Sequence, residues 1–423
     1  MSELKMYELV KRLYPICRSI TGDGVRKTLQ TVGEHIPLDV YDVPTGTQVF
    51  DWAVPDEWNI RDGWIKNPAG EKIVDFKQLN LHVLNYSEPV HKTVSLDELK
   101  DHLFTLPDHP EWVPYRTSYH NRNWGFCIAH ENVQTLEEGE YEVFIDSDLV
   151  PGSLTYGELF IPGKTEDEVL FVTHVCHPSL CNDNLSGIAV ATALAQNLLM
   201  LDLNYSYRFL FLPATIGAIT WLSRNEDKLD RIEHGLVLCL LGDREKFHYK
   251  KSRQGNAEID RIVERVLRQS DKPFQTLEFY PYGYDERQFC SPAFDLPVGR
   301  LSRAVHGEFP EYHSSADNLD FISEASMQES LDLLEQVVKK IEGAEKYINL
   351  KPACEPQLGR RGLFKAIGGQ SETKDFQMAL LWVLNLSDGS QSLEDIAEQS
   401  GLDMDILQAA VAELLKTDLL AER

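Results

Sequence analysis

Apolar and polar positions change period several times along the chain, and the changes divide it. Near the start, Met6, Leu9, Val10, Leu13 and Ile16 recur at helical spacing, so residues 1–49 read as the helical opening of a larger domain. From 50 to 150 the pattern breaks into short apolar stretches punctuated by Pro55, Gly63, Pro68-Ala69-Gly70 and Pro107. Leu81–Leu84 and Tyr141–Ile145 predict strands there, the second with Tyr141, Val143 and Ile145 on one face. Trp52, Trp58, Trp64, Trp112, Tyr115, Tyr119 and Trp124 crowd this stretch; most are expected in the core of a β-rich insertion, and some could wall a cleft.

From 151 to 350, near-continuous apolar runs at Val169–Thr173, Tyr207–Leu212 and Gly235–Leu241 predict strands covered on both faces. They alternate with helical periodicity at Gly187–Leu199, Ile259–Leu267 and Leu331–Ile341. The expectation is an α/β domain with a mixed sheet and helices on both faces. Residues 351–371 read as a linker, with Pro352, Pro356 and Gly359-Arg360-Arg361-Gly362. Beyond it, Asp375–Leu386, Ser392–Gln399 with Ser392 as N-cap, and Asp403–Leu415 predict three helices, a winged-helix-like module over 372–423.

Composition narrows the function classes. A net charge of -26 argues against a nucleic-acid backbone or an anionic membrane surface as partner. After Ser371 only three basic residues stand against eleven acidic ones, so the tail is expected to pack or contact protein rather than DNA. Seven scattered cysteines with no CxxC pair do not make a disulfide framework. No apolar signal core follows Met1 and no stretch is long enough to span a bilayer, so a cytoplasmic protein is expected, with homo-oligomerisation left open.

Candidate chemistry sits where predicted strands end. His174 and His177 follow the run ending at Thr173, Asp183 precedes the helix opening at Gly187, Asp243 follows Gly235–Leu241, and His313 lies in a loop ahead of Asp317. Open α/β sheets place their sites at the carboxyl ends of strands. Imidazoles and carboxylates converging there suit a divalent metal. For His177, ahead of Pro178, ligand and turn-stabilising readings stand level. Tyr284-Asp285-Glu286-Arg287 packs unusual polarity ahead of Phe289: a salt-bridged turn, or a pocket for a substrate's charged end, with Arg287 suited to a carboxylate. Lys250-Lys251-Ser252-Arg253 reads as a solvated turn, and His234, His248 and His306 as structural or surface histidines.

The order His174, then Asp183-Asn184-Leu185-Ser186-Gly187, then Gly242-Asp243, then His313 resembles the zinc aminopeptidases of the M28 type. More closely, the chain resembles bacterial aminopeptidase-like proteins with a DUF4910 catalytic domain, a DUF2172 β insertion and a C-terminal winged helix. The likeness covers nearly the whole chain and is strongest in Cys176–Ser179, Asn182–Gly187, Tyr284–Pro292 and Glu311–His313. It implies a zinc-exopeptidase-like fold and a metal-dependent hydrolase cleaving an amide of a small peptide or conjugate. It also implies His174, Asp183, Asp243 and His313 as Zn²⁺ ligands; Asp285, Arg287 and Tyr312 are the candidate substrate contacts. The pattern departs from M28 at Leu212-Pro213-Ala214-Thr215, where M28 enzymes carry two glutamates, a general base and a ligand. One ion is therefore expected rather than two, and Glu286, Glu308 and Glu311 are the candidate replacement bases. A catalytically impaired metal- or ligand-binding protein on the same scaffold is the alternative. Cys176 stands where M28 enzymes place an Asp, as a soft ligand or, the preferred reading, a small buried side chain.

Overall fold

The computed structural model describes residues 4–119, 121–363 and 371–423, the side chains of 371–373 excepted. The apolar runs become the middle of an eight-stranded sheet. In chain order its strands are β1 (Asp39–Pro44), β2 (Ser153–Ile161), β3 (Glu168–His174), β4 (Ser206–Leu212), β5 (Ile232–Leu238), β6 (Phe247–Lys250), β7 (Phe274–Leu277) and β8 (Val298–Ser302). The spatial order is β1-β2-β4-β3-β5-β8-β6-β7. β4, β3, β5 and β8 run parallel, whereas β1, β2 and β6 pair antiparallel with their neighbours β2, β4 and β8. Every residue of β3 and β4 is buried, as expected of strands covered on both faces.

The first 49 residues are only partly helical. Helices span Met6–Leu13 and Asp23–Gly33, but Asp39–Pro44 is the edge strand β1. Its alternation is hidden from sequence reading because five of its six residues are exposed. The expected strand Gly235–Leu241 is shifted to Ile232–Leu238, which frees Cys239–Gly242 to form a loop at the sheet's carboxyl edge.

Between β1 and β2 the chain builds a four-stranded antiparallel sheet from Lys72–Asp75, Glu57–Lys66, Glu140–Val150 and Val90–Ser95, in that spatial order. Its core holds Ile65, Val83, Val94, Tyr141, Val143 and Ile145. Trp58 and Tyr86 instead join the core cluster that holds Leu170, Leu212 and Trp221, so the insertion is packed onto the main sheet.

A second unit comprises Gln336–Arg423. Helices Ser371–Leu386, Leu393–Ser400 and Met404–Lys416 pack around Ala379, Val383, Leu407, Ala410 and Leu414. Ser392 caps the second helix in a reciprocal box with Asp395. Lys346–Asn349, placed by the sequence reading at the end of the α/β domain, is the middle strand of this unit's sheet, between Asp388–Ser392 and Leu420–Glu422.

The main sheet carries a buried ion triad. Arg208 on β4 grips Glu168 through Nε at 2.7 Å and Nη2 at 2.8 Å, and Glu158 on β2 through Nη1. Trp221 Nε1 donates to the same Glu158 at 2.9 Å. Replacing Arg208 by Met leaves two buried carboxylates without their cation. Urea unfolding is expected to show a loss of about 3–5 kcal/mol.

Candidate metal centre

β3 ends on His174 and thereby delivers its imidazole to the carboxyl edge of the sheet. The chain turns through His177 and returns in the loop Cys181–Ser186, which carries Asp183 at zero exposure. His174 Nε2 lies 2.8 Å from Asp183 Oδ1 and 3.2 Å from His177 Nδ1, and His177 Nδ1 lies 3.3 Å from the same Oδ1. From the other side, 130 residues later, His313 Nε2 approaches Asp183 Oδ2 at 3.0 Å. Burial opposes ionisation of Asp183, but the surrounding imidazoles outweigh it and hold its carboxyl well below the usual range. Burial lowers the pKa of His174 and His313, with Asp183 pulling the other way. His174, His177 and Asp183 converge closely enough to hold a metal ion, and His313 approaches the other oxygen of the same carboxylate; imidazole and carboxylate donors suit Zn²⁺.

The asparagines flanking Asp183 explain its placement. Asn182 Oδ1 accepts the N–H groups of Gly242 and Asp243 at 3.0 and 3.2 Å, which ties the loop to the chain leaving β5. Asn184 Nδ2 donates to Thr173 Oγ1 at 2.8 Å, and its Oδ1 accepts from Leu240 N at 3.2 Å. Gly187 has to be a glycine, because a Cβ there would stand 2.3 Å from Asn184 Oδ1. Asp317 receives the N–H groups of Asn182 and Asp183 at 2.6 and 2.9 Å.

Asp243 is not brought to the imidazoles. Its Oδ2 accepts from Asn182 Nδ2 at 2.6 Å and Ala304 N at 3.1 Å, and its Oδ1 from Glu245 N at 2.7 Å. Its carboxylate serves as a loop clamp, and the expectation of a fourth ligand there is corrected on that ground. Glu286 is likewise corrected as a free base: it is wholly buried in an ion pair with Lys250 at 2.9 Å. The same pair overturns the reading of Lys250 as part of a solvated turn. Glu308 is exposed, while Glu311 is half-buried two residues before His313. Asp285 is buried with both oxygens lacking a hydrogen-bond partner among the described residues, and burial pushes its carboxyl up to about 8. Arg287 is half-buried beside it. Cys176 Sγ rests on the Ala214 carbonyl at 3.8 Å, and burial pushes its thiol pKa up, which fits a packed thiol rather than a soft ligand.

Aromatic rings enclose the imidazoles. Tyr284 stacks on His174 with centroids 4.7 Å apart, and Tyr312 on His313 at 3.9 Å. Tyr115, from the β-rich insertion, sets its ring edge-on to both His177 and His313 at 5.2 and 5.1 Å. Its N–H donates to the His313 carbonyl at 2.7 Å, and Ser315 N donates to Val113 O at 2.8 Å. This stitching holds His313 in the left-handed region, φ 53°, a conformation that a non-glycine residue keeps only where its surroundings fix it. Tyr115 was visible in the sequence only as one aromatic among many.

A model for the domain of unknown function DUF4910 matches residues 7–344, through the insertion, and a winged helix-turn-helix model matches 345–422. The chain belongs to the DUF4910 family. A protein of Clostridium acetobutylicum, named for polysaccharide biosynthesis and an aminopeptidase-like domain, is 50% identical over 98% of this chain and 96% of its own length. A crystal structure from the same organism, named as a peptidase, is 49% identical with a TM-score of 0.84, covering 99% of this chain and 96% of that one. A zinc aminopeptidase from Bacillus subtilis shares the fold at 15% identity and TM-score 0.57, over 80% of this chain and 94% of its own. An M28 peptidase precursor from Shewanella amazonensis does so at 14% identity and TM-score 0.58, over 81% and 93%. The DUF4910 chain thus has an aminopeptidase-like α/β fold and a C-terminal winged helix.

Asp317→Ala deprives the buried N–H groups of Asn182 and Asp183 of their acceptor. The expected cost is about 2–5 kcal/mol of stability, read from urea denaturation midpoints at constant slope.

Proposed function

We propose that this protein is a zinc-dependent, aminopeptidase-like hydrolase that cleaves the amide of a small peptide or conjugate. The observation that carries the reading is Asp183, a fully buried carboxylate with imidazole nitrogens of His174, His177 and His313 at 2.8, 3.3 and 3.0 Å. A buried charge is costly unless paired or coordinating a metal. These four residues would hold one ion, and the displaced Asp243 leaves no built second set. A zinc ion there supplies Lewis acidity for a carbonyl oxygen and acidifies water.

The chain's own residues do the rest. Tyr115, Tyr284 and Tyr312 exclude bulk water from the imidazoles and narrow the approach, which favours small substrates over polypeptides. Tyr312 and Arg287 are the proposed substrate contacts, with Asp285 beside them. Of the three glutamates, Glu311 alone is neither locked in an ion pair nor exposed, so it is the proposed proton acceptor on this chain. The residues at Ala214 and Thr215 offer no carboxylate, which favours a second reading, a metal- and ligand-binding protein with impaired turnover. No cysteine among those described is in a disulfide. No helix among the described residues is long and apolar enough to cross a membrane. The acidic winged helix is proposed as a protein-contact module.

Two experiments test this. The protein is expected to take up about one zinc per chain and to melt at a higher temperature with zinc than with EDTA, with Asp183→Asn abolishing both effects. Glu311→Gln is expected to lower kcat on aminoacyl-anilide substrates by about 10²–10⁴-fold. Zinc uptake with no turnover would move the assignment to the binding protein.

A further inference from the structure

Behind Tyr284 lies a buried charge cluster that the metal centre does not use. Lys250 on β6 and Arg300 on β8 are cross-strand partners in an antiparallel pair. Like charges placed opposite one another repel unless an anion joins them. Glu286 is that anion: its Oε1 lies 2.9 Å from Lys250 Nζ and 3.5 Å from Arg300 Nη1, and all three side chains have zero exposure. Gly283 lets the backbone cross directly over the pair, since a Cβ there would stand 2.1 Å from Glu286 Oε1.

Arg300 then does a second thing. Its Nη1 donates to His306 Nδ1 at 2.8 Å. A guanidinium cannot accept a hydrogen bond, so Nδ1 carries the lone pair and the ring proton resides on Nε2. That Nε2 is buried and has no hydrogen-bond partner among the described residues. The His306 ring lies against Tyr284 and Tyr312, with centroids 4.8 and 6.4 Å away, and these are the rings stacked on His174 and His313. Tyr282, 65% exposed, covers the ring from outside at 5.0 Å. Burial, with the charge of Arg300 adding to it, pushes the His306 pKa down to about 4, so the ring is a neutral donor at physiological pH. A neutral imidazole of this kind can polarise a carbonyl without becoming an acid.

We propose that His306 is a catalytic hydrogen-bond donor whose Nε2–H binds the oxygen of the scissile carbonyl and holds it as negative charge develops, with Arg300 and Glu286 as positioning residues that fix its tautomer. The proposal rests on the hydrolase reading. The proton stays on nitrogen throughout, so no bond to His306 is made or broken.

The first test uses the zinc-loaded full chain and inorganic phosphate as a tetrahedral anion, with affinities measured by calorimetry. His306→Ala is expected to weaken phosphate binding about tenfold or more, and His306→Gln, which keeps an amide N–H, to stay within about threefold of the wild type, with zinc content unchanged in both. Unchanged phosphate affinity in zinc-replete His306→Ala overturns the proposal while leaving the hydrolase reading standing. A wild-type protein that takes up no zinc overturns the hydrolase reading, and this proposal with it. The second test needs no variant to fold: long-range ¹H–¹⁵N spectra of the wild type are expected to show His306 with a bare Nδ1 and a protonated Nε2. A protonated Nδ1 overturns the proposal.

Discussion

The structure turns on one carboxylate. Asp183 lies at zero exposure with its charge retained, and the imidazoles of His174, His177 and His313 are what keep it so. An anion buried this deeply has to be matched by positive or polar partners or give up its charge. The surrounding loops serve that requirement. Asn182 and Asn184 tie the Asp183 loop to the chain leaving β3 and β5, Asp317 holds its backbone, and Asp243 secures Asn182. His174, His177 and Asp183 are thereby brought together by one strand-end loop, and His313 by a distant strap.

That strap gives the β-rich insertion a physical role. His313 sits at positive φ, and its carbonyl is held by the Tyr115 N–H. Tyr115 also packs against two of the imidazoles. The insertion is therefore part of the wall around these imidazoles. Glu286 belongs to a different tier. Locked between Lys250 and Arg300, it joins their charges behind the aromatic wall.

Much of this was legible from residues alone, for identifiable reasons. The fully buried strands β3 and β4 announce themselves because both faces are apolar, and a turn signal next to an apolar run locates His174 and Asp183 correctly at a sheet edge. β1 escaped because an edge strand need not be apolar. Asp243 misled because Gly-Asp after a strand looks the same whether its carboxylate points at a metal or clamps a loop. Lys250 misled because a cation gives no sequence sign of being buried; the anion that pairs with it, Glu286, lies 36 positions away. Tyr115 offered no periodic signal, since its importance comes from a backbone hydrogen bond to His313, two hundred residues on.

The claim that the buried carboxylate is a metal ligand is tested most directly by anomalous diffraction at the zinc edge on crystals of the zinc-loaded protein. The account predicts one strong peak per chain at about 2.0–2.2 Å from Asp183 and from the ring nitrogens of His174, His177 and His313. Crystals that show no peak there, with Asp183 contacting only imidazole, would contradict it.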